Sequence, residues 1–409
     1  MLSNLFSLFI RFFGTILQFL AGILIARFSD ADITAYYFLL LSSVWITVYG
    51  LSLGFPNHIF IITSESSSDT NFLKLLKKYI YYYSRLLIPI LSLIFLLFFL
   101  IQPIFLLDLK NFSTILITAA ILVFNRFCSE IFKGSKSVNA GIFFDRTTFP
   151  FLIFLSTIYF SYFASFSINS INCAFLISSI TSLIISCLSS VYFLNQGKEN
   201  IKNIDFDNKH LVSQYILELG EVLINRLPII LLNIIFFEDS KLIAGLSICF
   251  TLISISGTIN FALYPFFGKS FIKEIKNNQI REAKNILFSS QLWTGFLYLG
   301  YFTILYFFGE SILSVYNSEF VIYNNYLLFY GALMIFSQFL GVSDYLMSLI
   351  RKDKLAIIFK LISLVGLLLL AYVSFKNNSV KIFLMAIFIS NFLKNIISYI
   401  FHLKNLKNF

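Results

Sequence analysis

In a chain built mostly of long apolar stretches, a few ionisable and amide side chains recur at three- and four-residue steps, the spacing that gathers side chains onto one helix face. Asn4, Ser7, Arg11, Thr15, Gln18 and Gly22 form one such stripe, with Arg11 its only charge. Gln214, Glu218, Glu221 and Asn225 form another, with Arg226 beside it and Pro228 after it. Arg126, Ser129, Glu130 and Lys133 lie close in helical projection, as do Ser337, Gly341, Asp344 and Ser348, and as do Asn391, Lys394, Asn395, Ser398 and His402. An ionisable group in hydrocarbon is costly, so such residues face the protein interior or a water-filled cavity. The pattern nominates Arg11, Gln18, Arg126, Arg226 and Lys394 as substrate-binding residues of a central cavity. Glu218 and Glu221, one turn apart, repel unless one is protonated or paired, which nominates them, with Asp344, for coupling or gating. Structural readings stand beside these: Arg126 neutralised by Glu130 four residues on, Arg11 paired with Glu218 or Glu221, Asp145 and Arg146 at a membrane interface, and Lys360 and Lys394 snorkelling toward helix ends. His58, His210 and His402 are isolated and the four cysteines, all in apolar blocks, show no C-x-x-C spacing; no metal, cofactor or catalytic residue is expected, and the cysteines read as small core residues.

Stripes need helices, and the composition supplies them. Of 409 residues, 58% are hydrophobic and 12% charged, against roughly 25% charged in an average soluble domain. The apolar residues form blocks that approach or exceed the ~20 residues a helix needs to cross hydrocarbon. Barrel strands would alternate apolar and polar residues, and stretches such as Leu86 to Leu107 do not. The expectation is an all-α polytopic membrane protein with about twelve transmembrane helices, near 4–28, 34–62, 80–107, 112–132, 143–164, 170–195, 211–237, 242–267, 286–308, 323–350, 355–375 and 381–403. Leu5 to Ile25 is long for a signal peptide and has no basic residue before it, so it reads as a retained first helix.

With the N-terminus inside, 18 Lys and Arg fall in cytoplasmic segments and 5 outside (Arg27, Lys110, Lys241, Lys376 and Lys381), the bias that marks cytoplasmic loops. Both termini are therefore expected in the cytoplasm. The net charge of +10 is accounted for by topology and anionic lipid headgroups, with no nucleic-acid partner. The polar break 196–210 separates an N-terminal lobe, 1–195, from a C-terminal lobe, 211–409, of six helices each. At an offset of 209, Asp30 aligns with Asp239, Ala35 with Ala244 and Pro56 with Pro265, each proline closing the second helix of its half. Six-helix halves of equal orientation make a parallel, pseudo-symmetric repeat.

Across almost its whole length the chain resembles the multidrug/oligosaccharidyl-lipid/polysaccharide (MOP) exporter superfamily, and within it the repeat-unit flippases of the Wzx type. The resemblance is carried by twelve helices in two lobes, the acidic break Ser29–Asp32 before Gly54-Phe-Pro56, the basic turn Lys133-Gly-Ser-Lys136, and Gly309–Ser314 with Asn317–Phe320 before the tenth helix. It implies a bacterial inner-membrane flippase, not an enzyme. Its substrate would be an undecaprenyl-pyrophosphate-linked oligosaccharide of O-antigen or capsule type, moved to the periplasmic leaflet by alternating access. The implied partners are that lipid-linked oligosaccharide, membrane lipids, a proton or sodium ion, a polysaccharide polymerase and chain-length proteins. Arg11 stands where a cationic cavity residue is expected, and its guanidinium offers a planar fork of donors to phosphate. An exporter of organic cations with the same fold is the rival reading, although it would carry an acid where this chain has Arg11. A membrane-embedded polymerase would need a large periplasmic loop with catalytic groups, which the short external loops do not provide.

Overall fold

The computed structural model describes residues 2–65, 77, 80, 81, 83, 109–135, 137–194, 208–277, 279–341, 343, 346 and 353–405. Among them the chain is helical throughout: α1 (Leu2–Phe28), α2 (Ala31–Ser52), α3 (Phe55–Glu65), α4 (Leu109–Ser135), α5 (Val138–Arg146), α6 (Thr148–Phe163), α7 (Ile168–Leu194), α8 (Asn208–Ile235), α9 (Ser240–Lys276), α10 (Ile280–Tyr316), a 3-10 turn (Ser318–Tyr323), α11 (Asn324–Gln338), α12 (Asp353–Asn377) and α13 (Val380–Asn405). The expected third helix, apart from 80, 81 and 83, and the break at 196–207 lie outside the described residues. Helices occupy the other expected spans among the described residues, except that the tenth is helical only to Gln338, passes into a turn at 339–341 and then lies mostly outside the described residues.

Nine helical stretches among the described residues are long and apolar enough to cross a membrane. Exposure runs opposite to that of a protein in water. Phe307 and Leu369 are 72% and 64% exposed, whereas Thr118, Ser182, Ser186 and Ser290 are fully buried. Apolar faces of this extent are stable only against lipid, so the chain is a multi-pass membrane protein. Its backbone polar groups close on themselves within each helix, as a hydrocarbon solvent requires.

Two of the expected spans, 34–62 and 143–164, break at points with clear local causes. The span at 34–62 divides at Leu53 and Gly54, whose φ angles of 52° and 76° are left-handed. A Cβ on Gly54 would lie 2.5 Å from the carbonyl oxygen of Leu211, so the break needs glycine for both backbone conformation and space. Pro56 does not close the helix, contrary to the sequence expectation. It sits in the first turn of α3, where its missing N–H has no intrahelical acceptor to satisfy. Tyr83 seals the junction, its hydroxyl donating to the carbonyl of Leu51 at 2.8 Å. Nor does Pro265 close a helix, since α9 runs on to Lys276. The span expected at 143–164 begins earlier, at Val138, with the Ser137 side chain accepting from the Ala140 N–H, and breaks at Thr147. Here α1 comes very close: Thr147 Oγ1 donates to the Ile10 carbonyl at 3.0 Å, and a Cβ on Gly14 would overlap the carbonyl oxygen of Arg146.

The chain forms two compact units, Met1–Leu219 and Gly220–Phe409. In the first, α4 is the hub, packed by α2, α3, α5 and α7, while α1 lies on α5 and α6. In the second, α12 pairs with α13, α9 with α10, and α11 lies against α10 and α13. The aligned aspartates hold equivalent posts: Asp30 is the N-cap residue of α2 and Asp239 that of α9. Ala35 and Ala244, matched in the same alignment, are both buried.

Candidate functional site

In the first unit the buried charges converge on Asp145, in the last turn of α5. Its side chain is 2% exposed and faces three cations: Arg126 Nε at 3.6 Å, Lys133 Nζ at 3.2 Å and Arg146 Nε at 3.0 Å. The sequence reading had Asp145 and Arg146 at an interface. The early start of α5 at Val138 instead carries Asp145 inward against α4, because seven residues of helix precede it rather than two. Glu130 does not neutralise Arg126 as expected; it accepts from Lys133 at 2.6 Å, one turn along α4.

Arg126 is 4% exposed and carries few hydrogen bonds for its position. Nη1 donates to Ser52 Oγ at 3.1 Å, Nη2 stands 3.8 Å from Glu218 on α8, and the guanidinium carbon lies 4.2 Å from the centre of the Tyr49 ring. Its Nε is buried with no hydrogen-bond acceptor. A guanidinium has five N–H donors in a rigid fork, so this one is under-satisfied. Arg146, whose side chain is 45% exposed, donates from Nη2 to the Tyr49 hydroxyl at 3.1 Å. Tyr49 and Asp145 thus hold two guanidinium groups side by side, one buried and one open. Glu218 closes the arrangement by accepting from Asn57 Nδ2 at 2.8 Å.

The second unit has its own cluster. Glu221, one turn beyond Glu218 on α8, accepts from Lys360 on α12 at 2.9 Å and from Lys394 on α13 at 3.0 and 3.1 Å. Asn225 donates to the same carboxylate at 3.2 Å. Lys360 and Lys394 are 8% and 5% exposed, which corrects the reading that they snorkel to helix ends. Both turn inward because a partly buried carboxylate close at hand is a better partner for an ammonium than distant headgroups. The α13 stripe is otherwise as read from spacing: Asn391, Asn395, Ser398 and His402 are all buried. Asn395 donates to Ser337 on α11, and His402 Nε2 lies 3.0 Å from the Ser343 carbonyl.

The helix α8 therefore carries two adjacent carboxylates with different allegiances. Glu218 is held by residues of the first unit and Glu221 by residues of the second, and the boundary between units falls at Leu219 and Gly220. This resolves the repulsion inferred from sequence: each carboxylate has its own cation. Among the other nominated residues, Arg11 and Gln18 are partly buried on α1, Arg226 is partly buried on α8, and Asp344 lies outside the described residues. Tyr49, Asn57 and Ser52 were not anticipated, because no spacing rule marks a residue whose partner lies on another helix. Asp145 and Lys360 had a signal, being charges set in apolar blocks.

No sequence-family profile and no curated protein matches the chain. Solved structures do resemble it over 99% of its length. One is the inward-facing conformation of a multidrug resistance MATE family transporter of the MOP superfamily, with a TM-score of 0.73 at 12% identity over 98% of that chain. An outward-facing conformation of a transporter so described gives 0.66 at 12% identity over 94%. A MOP superfamily transporter from Pyrococcus furiosus, described as having a binding pocket of reverse polarity that suggests a different function, gives 0.62 at 14% identity over 95%. The chain has the fold of these MATE and MOP transporters.

Proposed function

We propose that this protein is a transporter of the MOP superfamily that moves an anionic, lipid-linked substrate across a membrane, and that the substrate is an oligosaccharide on a polyprenyl pyrophosphate carrier. The observation that carries this reading is Arg126, a buried guanidinium whose Nε has no acceptor, set beside the half-open Arg146. Two forks held together by Tyr49 and Asp145 suit the paired phosphates of a pyrophosphate, each able to accept bidentate, charge-assisted bonds. An organic cation would need a free carboxylate to greet it, and in this unit Glu130, Asp145 and Glu218 each already face a cation. The Pyrococcus furiosus transporter of like fold, described as having a binding pocket of reverse polarity, is a precedent for a change of pocket polarity on this scaffold.

In this reading Arg11, Gln18, Arg226 and Lys394 serve the substrate with Arg126, while Glu218, Glu221 and Asp344 gate. Serine, threonine and amide side chains of the stripes meet sugar hydroxyls, and the polyprenyl tail stays in lipid. The protein sits in a bacterial inner membrane with both termini in the cytoplasm, as two six-helix lobes, and hands its cargo to a polymerase and chain-length machinery outside. An inside-negative potential contributes about 2.3 kcal/mol per negative charge moved outward per 100 mV.

The test is the sidedness of the lipid-linked repeat unit in cells lacking the protein, complemented with wild type, Arg126→Lys or Arg126→Ala at equal membrane abundance. Loss of two or more charge-assisted bonds predicts a fall in export of about a hundredfold or more for Arg126→Ala, with Arg126→Lys intermediate because it keeps charge without the fork. Normal surface glycan with accumulation of organic cations would overturn the reading in favour of a multidrug exporter. Intact units that reach the outer face but are not joined would overturn it in favour of a polymerase.

A further inference from the structure

No spacing rule pairs the cysteines, but two of them meet in the fold. Cys128 on α4 and Cys187 on α7 bring their sulfurs to 3.4 Å, the first buried and the second half-buried. The approach is built into α7. Ser178, Ser182, Ser186 and Ser190 repeat at four-residue steps, and all are buried. A seam of small residues lets helices in lipid pack backbone to backbone; α4 and α6 both pack on α7, with Ser182 and Ser178 meeting Thr148 and Ser156 of α6. Cys187 follows Ser186 on the edge of that seam, so the helix spacing that the serines set also decides how near the thiols lie.

We propose that Cys128 and Cys187 are a modification site: a thiol pair that oxidises to a disulfide and staples α4 to α7. The sulfurs must close by about 1.4 Å to reach disulfide bonding distance. With a peroxide as oxidant, one thiol takes up oxygen as the O–O bond breaks and water leaves; the second thiol then displaces a second water as the S–S bond forms. Two protons and two electrons pass from the thiols to the peroxide oxygens. Cys187 is the sulfur open to attack, and Cys128, shielded in the helix interface, is the one that resolves it.

The staple would act on the helix that carries Arg126, Glu130 and Lys133. It would close α4 and α7 on each other within one compact unit. Oxidation therefore stabilises that unit rather than tying it to the other. The inference rests on the packing of these two helices and stands or falls apart from the identity of the substrate.

The remaining cysteines are internal controls. Cys173 lies exposed on α7, fourteen residues before Cys187, and Cys249 is buried with its thiol 3.9 Å from the Tyr323 carbonyl oxygen. Purified protein in detergent is treated with hydrogen peroxide, quenched, denatured and alkylated, and its thiols are counted by intact mass. Accessible thiols fall from four to two, dithiothreitol restores them, and tandem mass spectrometry recovers one linked pair of peptides containing Cys128 and Cys187. Oxidation raises the thermal midpoint of wild type by about 5 °C and does not raise that of Cys187→Ala. That variant alters the more exposed sulfur, so it tests the pair even where Cys128→Ala fails to fold. Four alkylatable thiols after oxidation, or loss of thiols spread over Cys173 and Cys249, would overturn the proposal.

Discussion

Asp145→Asn keeps the size and shape of the side chain and removes one charge, so its effect measures what the carboxylate does for the three cations around it. At separations of 3.0 to 3.6 Å, each attraction is about 5 kcal/mol at an effective dielectric near 20. Most of that offsets the cost of taking the ions out of water. What remains when a buried pair loses one partner is about 3–5 kcal/mol, because the other charge is left behind. Arg126 and Lys133, with side chains 5% and 12% exposed, bear this loss, whereas Arg146, at 45%, recovers water and contributes little. For a unit of 219 residues, about 4 kcal/mol corresponds to a fall of roughly 10 °C in thermal midpoint. The assay is thermal unfolding of purified protein in detergent, followed by the monodisperse fraction on size exclusion. A matched control exists: Lys241 and Glu319 also stand 3.0 Å apart, but with side chains 65% and 56% exposed, so Glu319→Gln should cost no more than about 1 kcal/mol. If Asp145→Asn moves the midpoint no further than Glu319→Gln, the convergence on Asp145 does not hold the unit together and the reasoning fails.

Two further outcomes follow from other junctions. Gly54→Ala places a side chain at a φ of 76° and 2.5 Å from a backbone carbonyl oxygen. It should destabilise by at least about 1–3 kcal/mol, seen as a midpoint drop of 5 °C or more on the order expected from domain size; a neutral or stabilising result would mean that the break between α2 and α3 tolerates an ordinary residue. Glu221→Gln leaves Lys360 and Lys394 buried without their shared carboxylate. Proteolysis of the second unit should accelerate about tenfold or more, and adding Lys360→Met should recover part of the loss; equal protease resistance of wild type and Glu221→Gln would show that the pairing is incidental.

The helical architecture was legible because hydrocarbon imposes one demand on every residue of a span. Apolar runs of sufficient length and the stripes on α8 and α13 follow from that demand, and neither needs knowledge of which helices touch. Helix starts were legible where they rest on local chemistry: Asp239 caps α9 by accepting from the Leu242 N–H, whereas Asp30 stands at the start of α2 without a side-chain cap bond. Partnerships were another matter. Glu130 lies at the right spacing for Arg126 yet pairs with Lys133, and the acids that meet Arg126 come from α5 and α8. Asp145 turns inward only because α5 starts early and breaks at Thr147, where α1 presses through Gly14. Lys360 and Lys394 could reach headgroups or a carboxylate, and only the packing of α8, α12 and α13 puts Glu221 nearer. Cys128 and Cys187 are 59 residues apart and have no local relation at all. By itself the sequence determined which faces must avoid lipid. Which charge meets which, and which thiols meet, was decided by tertiary structure, because electrostatics and sulfur chemistry act over a few ångströms of space, whatever the distance along the chain.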